Sequence, residues 1–183
     1  MTDARDDLLE RVLTEVAANG LADRSMREIA TAIGSSHRML LYHFGSRDGL
    51  VAAVVAATEA RQRDAMRALA VEADSPADLV RRQWALVSAP ELRPNVCLFF
   101  ETLATQARTP GGGTDPTAPW IDAVHELGPV ADGYDDVDTR LGIAVVRGLL
   151  IDVLATGDVD AATAALERHL ELASRTRSTT SGR

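Results

Sequence analysis
The segment Ser25–Leu50 reads SMREIATAIGSSHRMLLYHFGSRDGL and spells two short helices around a tight turn, with a third helix following at once. Ser25 and Glu28 have the S-x-x-E spacing of a capping box, in which each side chain satisfies a backbone N–H left free at a helix start. Ile29, Ala30 and Ile33 then fall on one helical face, the spacing of a buried stripe. Gly34 ends that helix where the turn calls for positive φ. Ser35 or Ser36 can cap the next one, on which Leu40, Leu41 and Phe44 are expected to point inward. Gly45-Ser46 breaks the chain again, and Ser46 can cap a long helix opening at Arg47. A second helix of this size, held across a tight turn, suits the major groove of DNA. The same spacings also fit an ordinary helical hairpin in an all-α core.

The residue identities separate the two. Ser25…Ile29-Ala30…Gly34, then Leu40…His43-Phe44, then Ser46-Arg47-Asp48…Leu50 resemble the DNA-binding domain of the TetR family of transcriptional regulators. The likeness covers roughly the first 50 residues. The chain departs from the family pattern at Leu41, where a Tyr is usual, and at Arg47, where a Lys is usual. Tyr42 sits one position later than the usual Tyr, and Arg47 keeps the charge on a fork that suits phosphate.

Helix-turn-helix proteins read bases mainly from the start of the second helix, which makes Ser36, His37, Arg38 and Met39 the candidates. Arg38 can bond a guanine bidentately and Met39 can pack on a thymine methyl. His37 lies above Leu41 and Phe44 on a helical wheel, so it is either partly packed or aimed end-on at the groove. The resemblance places Arg27 at a position that contacts DNA in relatives. Tyr42, His43 and Arg47 are expected at phosphates, which set register without reading sequence. Arg47 also opens a helix, where free N–H groups favour an anion. His43 has a second reading, as a brace for the turn.

The net charge of −8 runs against DNA binding. Residues 1–50 hold six Arg against eight Asp and Glu, a count of −2. Between Arg24 and Arg47, however, stand four Arg and one acid, Glu28, a local +3. Exposed charges farther away than ~8 Å are largely screened in physiological salt, so the local field can serve phosphate while the acidic remainder discourages indiscriminate binding. One cysteine, Cys97, excludes an internal disulfide and fits the cytoplasm. No signal peptide opens the chain, and no apolar run is long enough to span a membrane.

The expected fold is all-α. A three-helix DNA-binding domain occupies 1–50, with its first helix carrying Leu8, Leu9, Val12, Leu13 and Val16. A helical regulatory and dimerisation domain occupies 51–175, and a disordered polar tail 176–183. A long helix runs from Arg47 to about Ala73, another starts at Ser75-Pro76, and a third spans Asn95 to Arg108. Thr109–Pro119 (TPGGGTDPTAP) is expected to be a loop. Its glycines lack the Gly-Lys-Ser/Thr of a phosphate loop, and His125-Glu126 lacks the second histidine of a zinc protease. No catalytic pair, metal cluster or cofactor motif remains.

The helices expected at Val137–Ala155 and Asp158–Ser174 close the chain, the first of them apolar on more than one side. Such a helix is expected to be buried on several sides, either by its own core together with a second copy or by an intrachain core alone. The resemblance likewise implies a homodimer built on the last two helices, with Leu141, Val145, Gly148, Leu149, Ala162, Leu166 and Leu170 at the interface. It further implies a small-molecule effector among the middle helices, with Trp84, Phe99, Phe100, Leu103 and Trp120 as walls. Arg147 interrupts an apolar helix and can anchor an anionic effector group, pair across the dimer or snorkel to water. The function expected is a ligand-responsive regulator, a repressor on a palindromic operator. The competing classes are an α-helical enzyme and a protein-interaction module.

Overall fold
The computed structural model describes residues 4–21, 24–107 and 115–180. Every regular element among them is helical. The helices are α1 (Ala4–Asn19), α2 (Met26–Ala32), α3 (His37–Phe44), α4 (Arg47–Glu72), α5 (Pro76–Val87), α6 (Arg93–Ala107), α7 (Ala118–His125), α8 (Asp136–Thr156) and α9 (Val159–Thr180). Short 3-10 turns stand at Pro90–Leu92 and Gly128–Ala131. No described helix is long and apolar enough to cross a membrane.

The chain divides into two compact units, Met1–Asp64 with Pro90–Thr114, and Ala65–Ala89 with Asp115–Arg183. The boundary expected at residue 50 is therefore displaced. Its physical reason is the first core, where Leu50, Val51 and Val54 of α4 and Leu98 of α6 are buried with the side chains of α1–α3.

In the first unit, Leu8, Val12, Leu13 and Val16 form the buried stripe of α1, and Gly20 at φ +71° lets the chain turn away. The Ser25–Glu28 capping box is present in full. Its hydrogen bonds from the Ser25 hydroxyl and N–H hold the Glu28 carboxyl below the usual range. Gly34 turns at φ +63°, and Arg11 donates to the carbonyl of Ile33, tying α1 to that turn. Ser36, not Ser35, caps α3 by accepting from the Met39 N–H at 3.2 Å. Leu40 and Phe44 bury as expected, whereas Leu41 is 39% exposed and stands outside the core. Adjacent residues on a helix point about 100° apart, so Leu40 and Leu41 cannot both face one narrow core.

Ser46 caps α4 through the Gly49 N–H at 3.0 Å. Gly49 itself is sterically demanded: a Cβ there would lie 2.1 Å from the carbonyl oxygen of Phe44. Replacing Gly49 with alanine should force the α3–α4 corner apart and destabilise the first unit by about 1–3 kcal/mol, read by thermal or urea unfolding. A melting point equal to that of the parent protein would contradict this close approach.

In the second unit, Ser75 caps α5 with Pro76 in the first turn, as the sequence indicates, and Leu79, Trp84 and Val87 are buried. Leu79 packs with Met66 and Ala123, while Trp84 and Val87 pack with Val153, Ala162, Leu166 and Leu170. Asp135 caps α8, and Gly157 ends it at φ +76°. Three boundaries differ from expectation. Helix α6 starts at Arg93 with Pro94 in its first turn, where a missing N–H is tolerated. Helix α7 starts at Ala118, inside the expected loop, of which residues 109–114 lie outside the described residues. Helix α9 runs to Thr180, so the backbone of 176–180 is helical where a disordered tail was expected.

Candidate nucleic-acid interface
Helix α3 has eight residues and is about 12 Å long, comparable with the width of the major groove. Leu40 and Phe44 bind it to the core, leaving Arg38, Met39, Leu41 and Tyr42 on the outward side. Tyr42 is 80% exposed, against 41% for Met39 and 39% for Leu41. His37 and His43 are half-buried. The Ser36 hydroxyl is engaged as a cap, which places it at the mouth of the face with its acceptor already in use. His43 packs edge-on to Tyr42 at 4.9 Å and tilted to Phe44 at 6.5 Å. Its Nε2 is buried and has no hydrogen-bond partner among the described residues.

The arginines divide into two groups. Arg24 pairs with Glu15 at 2.7 Å, so it contributes little to the local +3 counted along the sequence. Arg47 donates from Nε to the Arg24 carbonyl at 3.2 Å and from a terminal nitrogen to the Leu21 carbonyl at 3.3 Å. That side chain fastens the link between α1 and α2 to the start of α4, a structural role that its sequence position did not reveal. The guanidinium has five N–H groups, so others remain for an anion. Arg27 on α2 and Arg38 on α3 are exposed and make no hydrogen bond or ion pair with described residues. They are the cations this face offers to a ligand. Leu41 is the member of the face that sequence reasoning missed; its apolar identity pointed inward.

Residues 8–54 match the model of the family described as bacterial regulatory proteins, tetR family. Over these residues the chain is similar to the TetR family. Solved structures extend the likeness over nearly the whole chain. A candidate transcriptional regulator from Rhodococcus sp. RHA1 is 22% identical with a TM-score of 0.70, covering 91% of this chain and 95% of its own. A candidate TetR-family transcriptional regulator from Rhodococcus sp. is 25% identical with a TM-score of 0.65, covering 94% and 98%. A candidate transcriptional regulator from Saccharomonospora viridis, solved in complex with choline, is 19% identical with a TM-score of 0.64, covering 93% and 97%. No curated protein matches the sequence.

The residues expected at an effector site are distributed over both units. Phe99 and Phe100, in edge-to-face contact at 5.1 Å, and Leu103 are half-buried in the first. Trp84, Trp120 and Arg147 belong to the second. Trp84 is a core residue, its indole N–H donating to the Thr163 hydroxyl at 2.8 Å. Trp120 is partly buried against the Met66–Leu79–Ala123 cluster. Arg147 donates to the Thr117 hydroxyl at 2.8 Å and the Pro116 carbonyl at 2.9 Å. It anchors the chain entering α7, a role that none of its three expected readings named.

The dimer residues also need correction. Ala162, Leu166 and Leu170 are buried in the protomer's own core, Leu166 to 1% exposure, and cannot meet a second copy. Val145 and Leu149 are half-buried against the same core. Leu141 (55% exposed) and Gly148 remain on the surface. They belong to an exposed stripe of α8 comprising Val137, Leu141, Ala144, Gly148, Ile151 and Ala155. Its alternating spacing of four and three is that of a helix-pairing seam. On α9 the exposed line Ala161, Ala165, Arg168, Leu172 has the same spacing.

Proposed function
We propose that this TetR-family chain is a ligand-responsive transcriptional repressor of the cytoplasm, binding a palindromic operator as a homodimer and released by a small molecule. The outward side of α3 carries the reading: Arg38, Met39, Leu41 and Tyr42 are exposed while Leu40 and Phe44 hold the helix to its core. Arg38 takes a guanine edge and Met39 a thymine methyl, with His37 at the helix start beside them. Arg27, Tyr42, His43 and the unused N–H groups of Arg47 take phosphates.

The second copy docks on the exposed stripes of α8 and α9. Gly148 supports this choice, because a Cβ there would meet nothing within the protomer. A glycine inside a helix costs about 1 kcal/mol relative to alanine, and no packing within the protomer requires it. Close approach of a facing helix supplies a reason. Two heads must land about 34–36 Å apart on DNA, so an effector that fits a different head spacing lowers operator affinity by differential binding. Helix α4 begins in the first unit and ends in the second, giving a continuous backbone between reader and sensor. The choline complex of the Saccharomonospora viridis protein supports a small-molecule effector.

Selection of bound sequences from a random DNA pool by the purified protein should return a two-fold-symmetric consensus, and affinity should fall steeply with added salt. An asymmetric or absent consensus would remove the operator reading.

A further inference from the structure
Two side chains of the second unit have buried polar atoms with no hydrogen-bond partner among the described residues, the half-buried Gln83 on α5 and the buried Thr139 on α8. Thr139 departs from the protein's own habit. Thr14, Thr31, Thr102, Thr156 and Thr163 each donate to the carbonyl four residues back at 2.8–3.0 Å. Gln83 is the more informative of the two, because both its Oε1 and its Nε2 are out of solvent reach and unpartnered. Buried polar groups in folded proteins are almost always paired, and an amide open at both ends is a strong exception.

Gln83 stands one helical turn beyond Leu79, whose cluster is wholly apolar: Met66 and Ala123, with Trp120, Leu127 and Val130 partly buried against it. The fully buried polar residues among the described ones are Thr117 and Thr139, both uncharged. An ion entering the Met66–Leu79–Ala123 cluster would lose its hydration with no counter-charge among the cluster's members. A glutamine amide presents a carbonyl and an N–H side by side, which matches a neutral group offering a donor and an acceptor on one edge. Met66, unbranched and adaptable, is the member of the Leu79 cluster best able to move and admit an apolar body.

We propose that Gln83 is the residue that recognises the effector, and that the effector is an uncharged, largely apolar molecule with a lactam or primary-amide edge. This inference rests on the reading of the chain as a small-molecule sensor.

The test uses the full-length protein and three lactams of increasing apolar body: 2-piperidone, 3,4-dihydroquinolin-2-one and phenanthridin-6-one. Each is paired with its N-methyl derivative, which lacks the donor. Titration calorimetry should show at least one lactam binding about tenfold or more tightly than its N-methyl partner, a difference of about 1.4 kcal/mol. The Gln83 side-chain amide signal, assigned by its loss in Gln83→Met, should shift with that lactam. Gln83→Met should abolish the preference while leaving operator affinity without effector unchanged, and Gln83→Asn should restore part of it. If Gln83→Met fails to fold, the wild-type preference and the amide shift decide alone. Equal binding within every pair, no binding by any lactam, or an unshifted Gln83 amide overturns the proposal. Operator release by ionic or purely apolar compounds, alike in wild type and Gln83→Met, overturns it and keeps the sensor reading. No release by any compound, lactams included, removes the sensor reading itself.

Discussion

Leu141→Glu together with Ile151→Glu is expected to make the protein monomeric and to lower operator affinity by about a hundredfold or more. Both side chains are about half exposed, at 55% and 51%, so the protomer loses little when they become polar. In a paired seam the same positions face a second copy, and two carboxylates per chain would be stripped of water, the cation of the α9 line, Arg168, being already paired with Glu171. Once the copies separate, each head binds its half-site alone, and the gain from linking two heads disappears. Sedimentation equilibrium reads the mass, and operator titration reads the affinity. Leu166→Ala is the control. That residue is 1% exposed beside Trp84 and Val153, so its truncation should reduce unfolding free energy by about 2–5 kcal/mol and leave the folded protein dimeric. A double-Glu variant that stays dimeric, with a Leu166→Ala variant that falls apart, would reverse the assignment of the two faces.

That reversal was the natural error from sequence, and its cause is physical. Ala162, Leu166 and Leu170 form a clean apolar line on α9, and periodicity reports that a line is covered without saying by what. The cover is α5 and α8 of the same protomer. Local chemistry was more legible. The Ser25–Glu28 box, Ser36, and Ser75-Pro76 each satisfy backbone groups within four residues, so the signal and its partner sit in one window of sequence. Long-range pairings left no such trace. Arg47 reaches carbonyls 23 and 26 residues back, and Arg147 reaches Thr117 30 residues back. In the recognition helix, Leu41 shows the limit of residue type as a guide: in an eight-residue helix two adjacent leucines compete for one inward direction, and the core accepts Leu40. The departure from the usual family Tyr at this position consequently puts an apolar side chain on the outward side of α3.

Arg38→Ala should weaken operator binding by about 30-fold to 10⁴-fold with no change in melting temperature. A bidentate arginine–guanine pair contributes about 1–3 kcal/mol of discrimination, and a symmetric dimer makes it twice, giving about 2–6 kcal/mol. Folding is untouched because Arg38 is exposed and makes no hydrogen bond or ion pair with described residues. The effect should be largest on the selected consensus and small on random DNA, since the arginine reads a base. Arg27→Ala should instead weaken all sequences alike and lower the slope of log affinity against log salt by about 1 for each phosphate left without its arginine. Arg47→Ala should do something different again, lowering the melting temperature as well as affinity, because its guanidinium fastens the carbonyls of Leu21 and Arg24. The three arginines therefore separate base reading, phosphate binding and scaffold by three different measurements. Equal weakening on consensus and random DNA for Arg38→Ala would move that residue to the backbone and leave His37 and Met39 to carry the sequence preference.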